Sequence, residues 1–250
     1  MPHQVALFIT CLTDQFYPRV GVAVTRILER LGCTVAFPTG QTCCGQPFFN
    51  NGFHPEARDL AKRWIEVFEG YEYIVSPSGS CTAMVREQFH ELFAGDPAWE
   101  ADWARVSAKT YEFVEFLTKV LRVDLDGLRL PRPTRVTYHY TCHLRGLGLR
   151  DEAVRLLRQL DNVAFTPLEK TEQCCGFGGT FAVKYPAISR AMVEDKAACI
   201  AATGAEVTVC NDAGCTMNIA GMCHKAGVKT SVKHVAELIA EAMGIDCDRL

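Results

Sequence analysis

The chain has 250 residues, 48% of them hydrophobic and 22% charged, with a formal net charge of −3. That charge leaves no basic field to hold nucleic acid or an anionic membrane, and the N-terminal apolar stretch is too short and lacks the basic residues of a secretory signal. No apolar run approaches the ~20 residues of a membrane helix, so the expectation is a cytoplasmic protein of one large or two small domains.

Residues 4–10, QVALFIT, form a short apolar run that predicts a buried strand with Cys11 at its carboxyl end. Pro18 suits the first turn of a helix reaching Leu31. Residues 34–37 read as a second strand, ending before TGQTCCGQPFF (39–49), where Cys43 and Cys44 stand side by side. A helix runs from Pro55 to about Phe68, residues 71–77 form a third strand, Cys81 follows, and a helix covers 83–93. Two prolines mark residues 122–135 as a joint. The expected division is 1–122, a linker at 123–134, and 135–250.

The second half repeats this plan. Strands at 135–141, 162–165 and 206–210 lead to Cys142, to Cys174-Cys175 and to Cys215, with helices at 150–160, 186–203, 214–225 and 233–243. Thirty-one residues separate Cys11 from Cys43, and thirty-one separate Cys142 from Cys174. Thr10-Cys11 matches Thr141-Cys142, RILERLGCTVAF (26–37) resembles RLLRQLDNVAF (155–165), and residues 111–121 parallel 232–243. The chain therefore reads as a tandem duplication of α/β, Rossmann-like units with parallel sheets, related by a pseudo-two-fold axis. Ligands of such sheets bind beyond the carboxyl ends of the strands. Each repeated cysteine falls at such an end, so each half is expected to gather its four thiols in one pocket.

Thirteen cysteines in a chain of this kind favour a metal or redox role over a disulfide scaffold. Soft thiolates select zinc, copper(I) or iron–sulfur clusters. Structural zinc sites use paired C-x2-4-C knuckles, and neither half has two of them. Adjacent thiolates at long spacing instead suit a cluster with several irons, four cysteines being the common ligand count. Cys33, Cys199, Cys223 and Cys247 have no partner in the repeat and read as core or incidental residues. His139 and His143 flank Cys142 and read as supporting groups rather than ligands. No nucleotide-binding fingerprint and no acid–base constellation accompanies the cysteines.

The pattern C-x31-CCG followed by a further cysteine, twice over, resembles the cysteine-rich CCG domain. That domain occurs in a subunit of heterodisulfide reductase, in the iron–sulfur subunits of glycolate oxidase and anaerobic glycerol-3-phosphate dehydrogenase, and in the lactate-utilisation protein A family. The last is similar in length and in PSGSC (77–81) and NDAGC (211–215). The resemblance implies an iron–sulfur electron-transfer subunit of a multi-subunit L-lactate dehydrogenase, with a ferredoxin-like iron–sulfur subunit and a third small subunit as partners. It implies a [4Fe–4S] cluster on Cys11, Cys43, Cys44 and Cys81, and another on Cys142, Cys174, Cys175 and Cys215. The heterodisulfide-reductase form ends each motif in C-x-x-C. Here Ser78 and Asp212 take the first of those positions, as weak ligands, hydrogen-bonding groups or helix N-caps, and Cys210 lies two residues before Asp212. Three alternatives stay open: zinc in one half, a zinc-stabilised binding module, and a thiol–disulfide oxidoreductase using the vicinal thiols directly.

Overall fold

In a computed structural model, which describes residues 2–248, the chain folds into two wholly parallel four-stranded sheets flanked by helices. The first contains β1 (Gln4–Leu7), β2 (Thr34–Ala36), β3 (Tyr73–Ser76) and β4 (Thr110–Glu112). The second contains β5 (Thr134–Tyr138), β6 (Val163–Phe165), β7 (Val207–Cys210) and β8 (Ser231–His234). The strand orders are the same, β2-β1-β3-β4 and β6-β5-β7-β8. The expected α/β class and tandem Rossmann-like units are therefore present, with one strand more per half than the sequence suggested. TYE and SVKH are too short and polar to show an apolar run. The helix expected at 233–243 accordingly starts later, at Val235, because Ser231–His234 pairs with β7.

Side-chain alternation along the strands gives each sheet two buried faces. From β1 and β3, Val5, Leu7 and Val75 enter a core shared by both halves, whereas Ala6, Phe8 and Ile74 enter a core of the first half alone. Val136, Tyr138, Val207 and Val209 reach the shared core from the second sheet. The second half keeps its own cluster around Val193, Ile200, Ile219, Cys199, Cys210 and Cys223. Cys33 lies in the shared core, and half-buried Cys247 packs against it.

Helix Pro18–Arg30 shows why the shared core forms. Proline opens its first turn, and Val20, Ala23, Val24, Ile27 and Leu28 line one face at helical spacing. Leu31 ends it, and Gly32 at φ +85° turns the chain toward β2. Its buried face packs on helix Val235–Ala242 of the other half. Each fully buried aliphatic side chain there stabilises by ~1.5–3 kcal/mol, so a charge at Ile27 would open the seam. Nearer the cysteines the packing is reciprocal. Helix Cys11–Phe16 meets helix Ala213–Lys225, and the turn Cys142–Arg145 meets helix Gly79–Ala83, as a pseudo-two-fold relation requires.

Two equivalent residues at the ends of β4 and β8 tie the seam, with different chemistry. Buried Glu112 caps the helical segment that follows β4, accepting from Val114 and Glu115 N–H, and accepts from Asn211 Nδ2 at 3.0 Å. Buried His234 caps its helix through Nδ1, which accepts from Ala236 N–H, and its Nε2–H donates to Pro77 O at 3.0 Å. Burial pushes the Glu112 pKa up to about 8 and the His234 pKa down to about 4. The linkages oppose each other. The unfolded chain protonates His234 at its ordinary 6.5, so this residue's contribution is lost as pH falls from 6.5 toward 4. The folded chain keeps Glu112 protonated above its ordinary 4.5, so stability is lost as pH rises from 4.5 to about 8. Glu112→Gln is expected to leave a chain whose Tm falls on acidification through the first window. His234→Gln is expected to leave one whose Tm falls as pH rises through the second. Each slope approaches ~1.4 kcal/mol per pH unit at most, and thermal melts from pH 4.5 to 8 with parallel profiles for the two variants would refute the assignment.

Candidate metal centre

The cysteines converge just beyond the carboxyl ends of the strands. Cys11 is the first residue of helix Cys11–Phe16 and Cys142 of the turn Cys142–Arg145, each a few residues after the first strand of its half. Cys81 and Cys215 are the third residues of helices Gly79–Ala83 and Ala213–Lys225, after the third strands. The Cys-Cys pairs lie in the loops that follow β2 and β6.

The side-by-side cysteines have a simple geometric use. The first of each pair faces outward and the second inward. Cys11 Sγ lies 3.7 Å from Cys43 Sγ, forming the outer pair, while buried Cys44 lies 3.4 Å from Cys81. The second half repeats this: buried Cys175 lies 3.4 Å from Cys215, and the half-buried Cys174 and Cys142 interact as the outer pair. The two thiols of each outer pair are pushed in opposite directions. The facing Cys11 thiol lowers the Cys43 pKa, and the facing Cys142 thiol lowers that of Cys174. Those same neighbours push the Cys11 and Cys142 thiols up. Gly176 N–H also donates to Cys174 Sγ at 3.3 Å. The Cys215 pKa is lowered to about 7, first by the neighbouring Cys175 thiol and against its burial.

Glycine after each pair is a backbone requirement. Gly45 and Gly176 have φ of +84° and +78°. A Cβ on Gly176 would lie 2.6 Å from Ser189 O, but one on Gly45 would lie 3.4 Å from Ala57 O. Gly176→Ala is therefore expected to cost roughly 1–3 kcal/mol and to displace Cys174-Cys175, with a smaller loss for Gly45→Ala. Thermal denaturation of the two variants checks this, and equal losses would refute it.

The two quartets share one space. All eight thiols line a single cavity of about 360 Å³ between the halves, whereas the spacing had suggested one pocket per half. Thr180 Oγ1 beside this cavity accepts from Asn51 Nδ2 at 2.8 Å, and Lys184 also bonds to Asn51, tying the second half to the first. Ser78 and Asp212 are both helix N-caps: Ser78 Oγ accepts from Cys81 N–H, and Asp212 Oδ1 from Gly214 N–H. They also meet. Asp212 Oδ2 accepts from Ser78 Oγ at 2.9 Å, Ser80 Oγ at 2.7 Å and Ser80 N–H at 3.1 Å. Sequence reasoning passed over Ser80 and over Asn218, whose Nδ2 donates to Cys175 O at 2.8 Å. Asn218 carries no spacing signal, and Ser80 is visible only once the halves are docked. Cys210 is buried in the second-half core, does not line the cavity and is not among the groups that gather at Cys175 and Cys215. Cys199 and Cys223 are in that core too. His143 Nδ1 lies 3.7 Å from Cys142 Sγ. None of the thirteen cysteines forms a disulfide.

This donor set suits a thiophilic metal or an iron–sulfur cluster in each half: four sulfurs that meet in pairs on one cavity and positive-φ glycine backbone beside them. Buried Thr42 Oγ1, Thr141 Oγ1 and Gln173 Oε1, each next to a cysteine or to a Cys-Cys pair, have no hydrogen-bond partner among the described residues. No helix among the described residues is long and apolar enough to cross a membrane.

Two copies of a thiol-bearing parallel-sheet unit define a duplicated cysteine-rich-domain protein, and the cysteine-rich domain family matches residues 5–86 and 136–220. Lactate utilization protein A of Bacillus licheniformis is 46% identical over 237 residues, covering 94% of this chain and 98% of the relative. The proteins of the same name from Shouchella clausii and Bacillus subtilis are 48% and 47% identical over 236 and 237 residues, with the same coverage. The chain belongs to the lactate utilization protein A family. A crystal structure of a hypothetical protein from Helicobacter pylori shares the fold at a TM-score of 0.67 and 10% identity, with 98% of this chain spanning 50% of that one.

Proposed function

We infer that the chain is the iron–sulfur electron-transfer subunit of a multi-subunit system that oxidises L-lactate to pyruvate. The observation that carries this reading is the meeting of two cysteine quartets in one cavity, in a chain similar over nearly its whole length to proteins named for lactate utilization. Cys11, Cys43, Cys44 and Cys81 would hold one [4Fe–4S] cluster, and Cys142, Cys174, Cys175 and Cys215 the other. When bound, such clusters supply one-electron transfer. The residues of the chain supply the rest. The facing thiols favour the ligating thiolate form of Cys43 and Cys174, the inner cysteines are buried, and Asp212 bonds to Ser78 and Ser80 across the two halves. Neither half carries a nicotinamide or flavin fingerprint, so removal of hydride from lactate falls to a partner. The partners proposed are a ferredoxin-like iron–sulfur subunit and a third small subunit, in the cytoplasm.

The test is anaerobic purification with counts of iron, acid-labile sulfide and zinc. Iron and sulfide at two clusters per chain support the reading, while zinc without sulfide would replace it with a zinc-stabilised module. A second reading has a specific observation behind it. The lowered pKa values of Cys43 and Cys174 also suit direct thiol–disulfide exchange. Rapid exchange with a small disulfide in metal-free protein, with no iron after anaerobic purification, would favour it.

A further inference from the structure

One group lies against the second quartet that has no counterpart at the first. His139 directly follows β5 and its N–H donates to Val209 O at 2.9 Å. Phe8 holds the equivalent place, three residues before Cys11, with its N–H donating to Val75 O at 2.9 Å. Both side chains are buried, Phe8 at 0% and His139 at 1% exposure. Phe8 suits its surroundings, edge-on to Trp64 and Phe68 at 5.4 and 5.5 Å between ring centres. His139 does not settle as a packing residue. Both of its ring nitrogens are buried without a well-formed hydrogen bond among the described residues, and the ring interacts with the Cys215 thiol. An unsatisfied buried polar atom costs ~1–3 kcal/mol, and the first half shows that a purely apolar ring serves this position.

The imidazole also has a direction. One ring nitrogen of His139, Cys175 Sγ and Cys215 Sγ all lie within 4.8 Å of one another, the ring approaching the two sulfurs from outside the cavity that they line. A metal bound by sulfur at ~2.3 Å and nitrogen at ~2.0–2.1 Å spans such a triangle with small side-chain movements. We propose that His139 is a fifth protein donor at the second centre, giving it a nitrogen ligand that the first centre lacks. This rests on the reading of each quartet as a metal-holding site. The consequence is functional inequality. The imidazole adds a neutral donor to one centre and none to the other, so the two centres differ in reduction potential although each has four cysteines.

The test uses the full-length chain, purified anaerobically with 57Fe. Iron and sulfide are counted first, and Mössbauer spectra, which report every iron whatever its spin state, are compared across four proteins. These are the wild type, His139→Phe, His139→Asn and His143→Ala. The expected result is a changed iron subspectrum at one centre in both His139 variants, at near-equal iron content, with His143→Ala unchanged. Reductive titration of the same samples is expected to show one midpoint potential shifted and the other fixed. Identical spectra and potentials in the wild type and both His139 variants overturn the proposal. If the variants do not fold, pulsed paramagnetic resonance of the reduced wild type decides, since a strongly coupled nitrogen is required and its absence refutes the ligand. If iron and sulfide are absent from the wild type, the iron–sulfur reading falls, and cobalt(II) added to the reduced protein tests His139 by itself. Binding about tenfold weaker in His139→Asn supports the donor, and equal binding rejects it.

Discussion

Cys175→Ala is expected to empty the second centre and leave the first filled, and Cys44→Ala to do the reverse. Each variant then retains about half the iron and sulfide of the wild type. The reason is the inner position of these sulfurs. Cys44 and Cys175 are 2% exposed, each 3.4 Å from its partner Cys81 or Cys215. Neither half has a spare thiol to move in, because Cys210 does not line the cavity and Cys33 lies in the shared core. Cys210→Ala and Cys223→Ala provide the contrast. Both remove buried sulfur from the second-half core, so they should lower stability by roughly 1–2 kcal/mol and keep all iron. Iron and sulfide counts with paramagnetic resonance on anaerobic samples separate the two sets. Full iron with unchanged spectra in both Cys44→Ala and Cys175→Ala would refute the ligand assignment.

Asp212→Ala should give the opposite phenotype, a chain that keeps its iron but loses stability. The carboxylate accepts four hydrogen bonds, three of them from Ser78 and Ser80 of the other half and one that caps helix Ala213–Lys225. Asp212 is 7% exposed, so its deletion strands donors that water reaches poorly. Loss of the cap and of bonds to a charged acceptor together are expected to cost roughly 3 kcal/mol. For a chain of this size that corresponds to a fall in Tm of about 6–12 °C. Ser78→Ala removes one cap and one bond across the seam, for about 1–2 kcal/mol. The double variant should fall short of the sum, since both single changes break the same contact. Additive losses would mean that the two residues act independently. Loss of iron from Asp212→Ala at unchanged Tm would make the carboxylate a ligand instead of a strut.

The cysteine quartets were legible in the sequence because spacing and strand ends act within one half. An apolar run such as QVALFIT, a cysteine after it, and the same interval to a CCG repeated later are local facts. What brings the halves together is not local. The shared core depends on which face Val5, Leu7, Val136 and Val209 present, and nothing in the 31-residue interval says that the two quartets will look into one space. The same holds for Asp212 and Ser80, which lie 132 positions apart in the chain and meet only after docking. The fourth strands escaped for another reason. TYE and SVKH owe their extended form to the ladders of β3 and β7, since pairing overrides the weak preference of three or four polar-leaning residues. His139 was visible as a histidine near Cys142. Its approach to Cys175 and Cys215 was not.

The reciprocal packing of the two halves is the kind of contact that two identical chains form about a two-fold axis, where each surface is its own complement. In such a dimer every residue appears twice, and a change on one side is forced on the other. Joining both copies in one chain removes that constraint and holds them at a high effective concentration. Each copy is then free to diverge. Ser78 could become the donor and Asp212 the acceptor of a single bond, which two serines or two aspartates facing each other would make poorly or not at all. Glu112 and His234 took up the same capping post with opposite responses to acid, and Phe8 and His139 gave the sulfurs of each side a different neighbour. Fusion thus turned a symmetric vessel into one with distinguishable ends, a precondition for any current to have a direction.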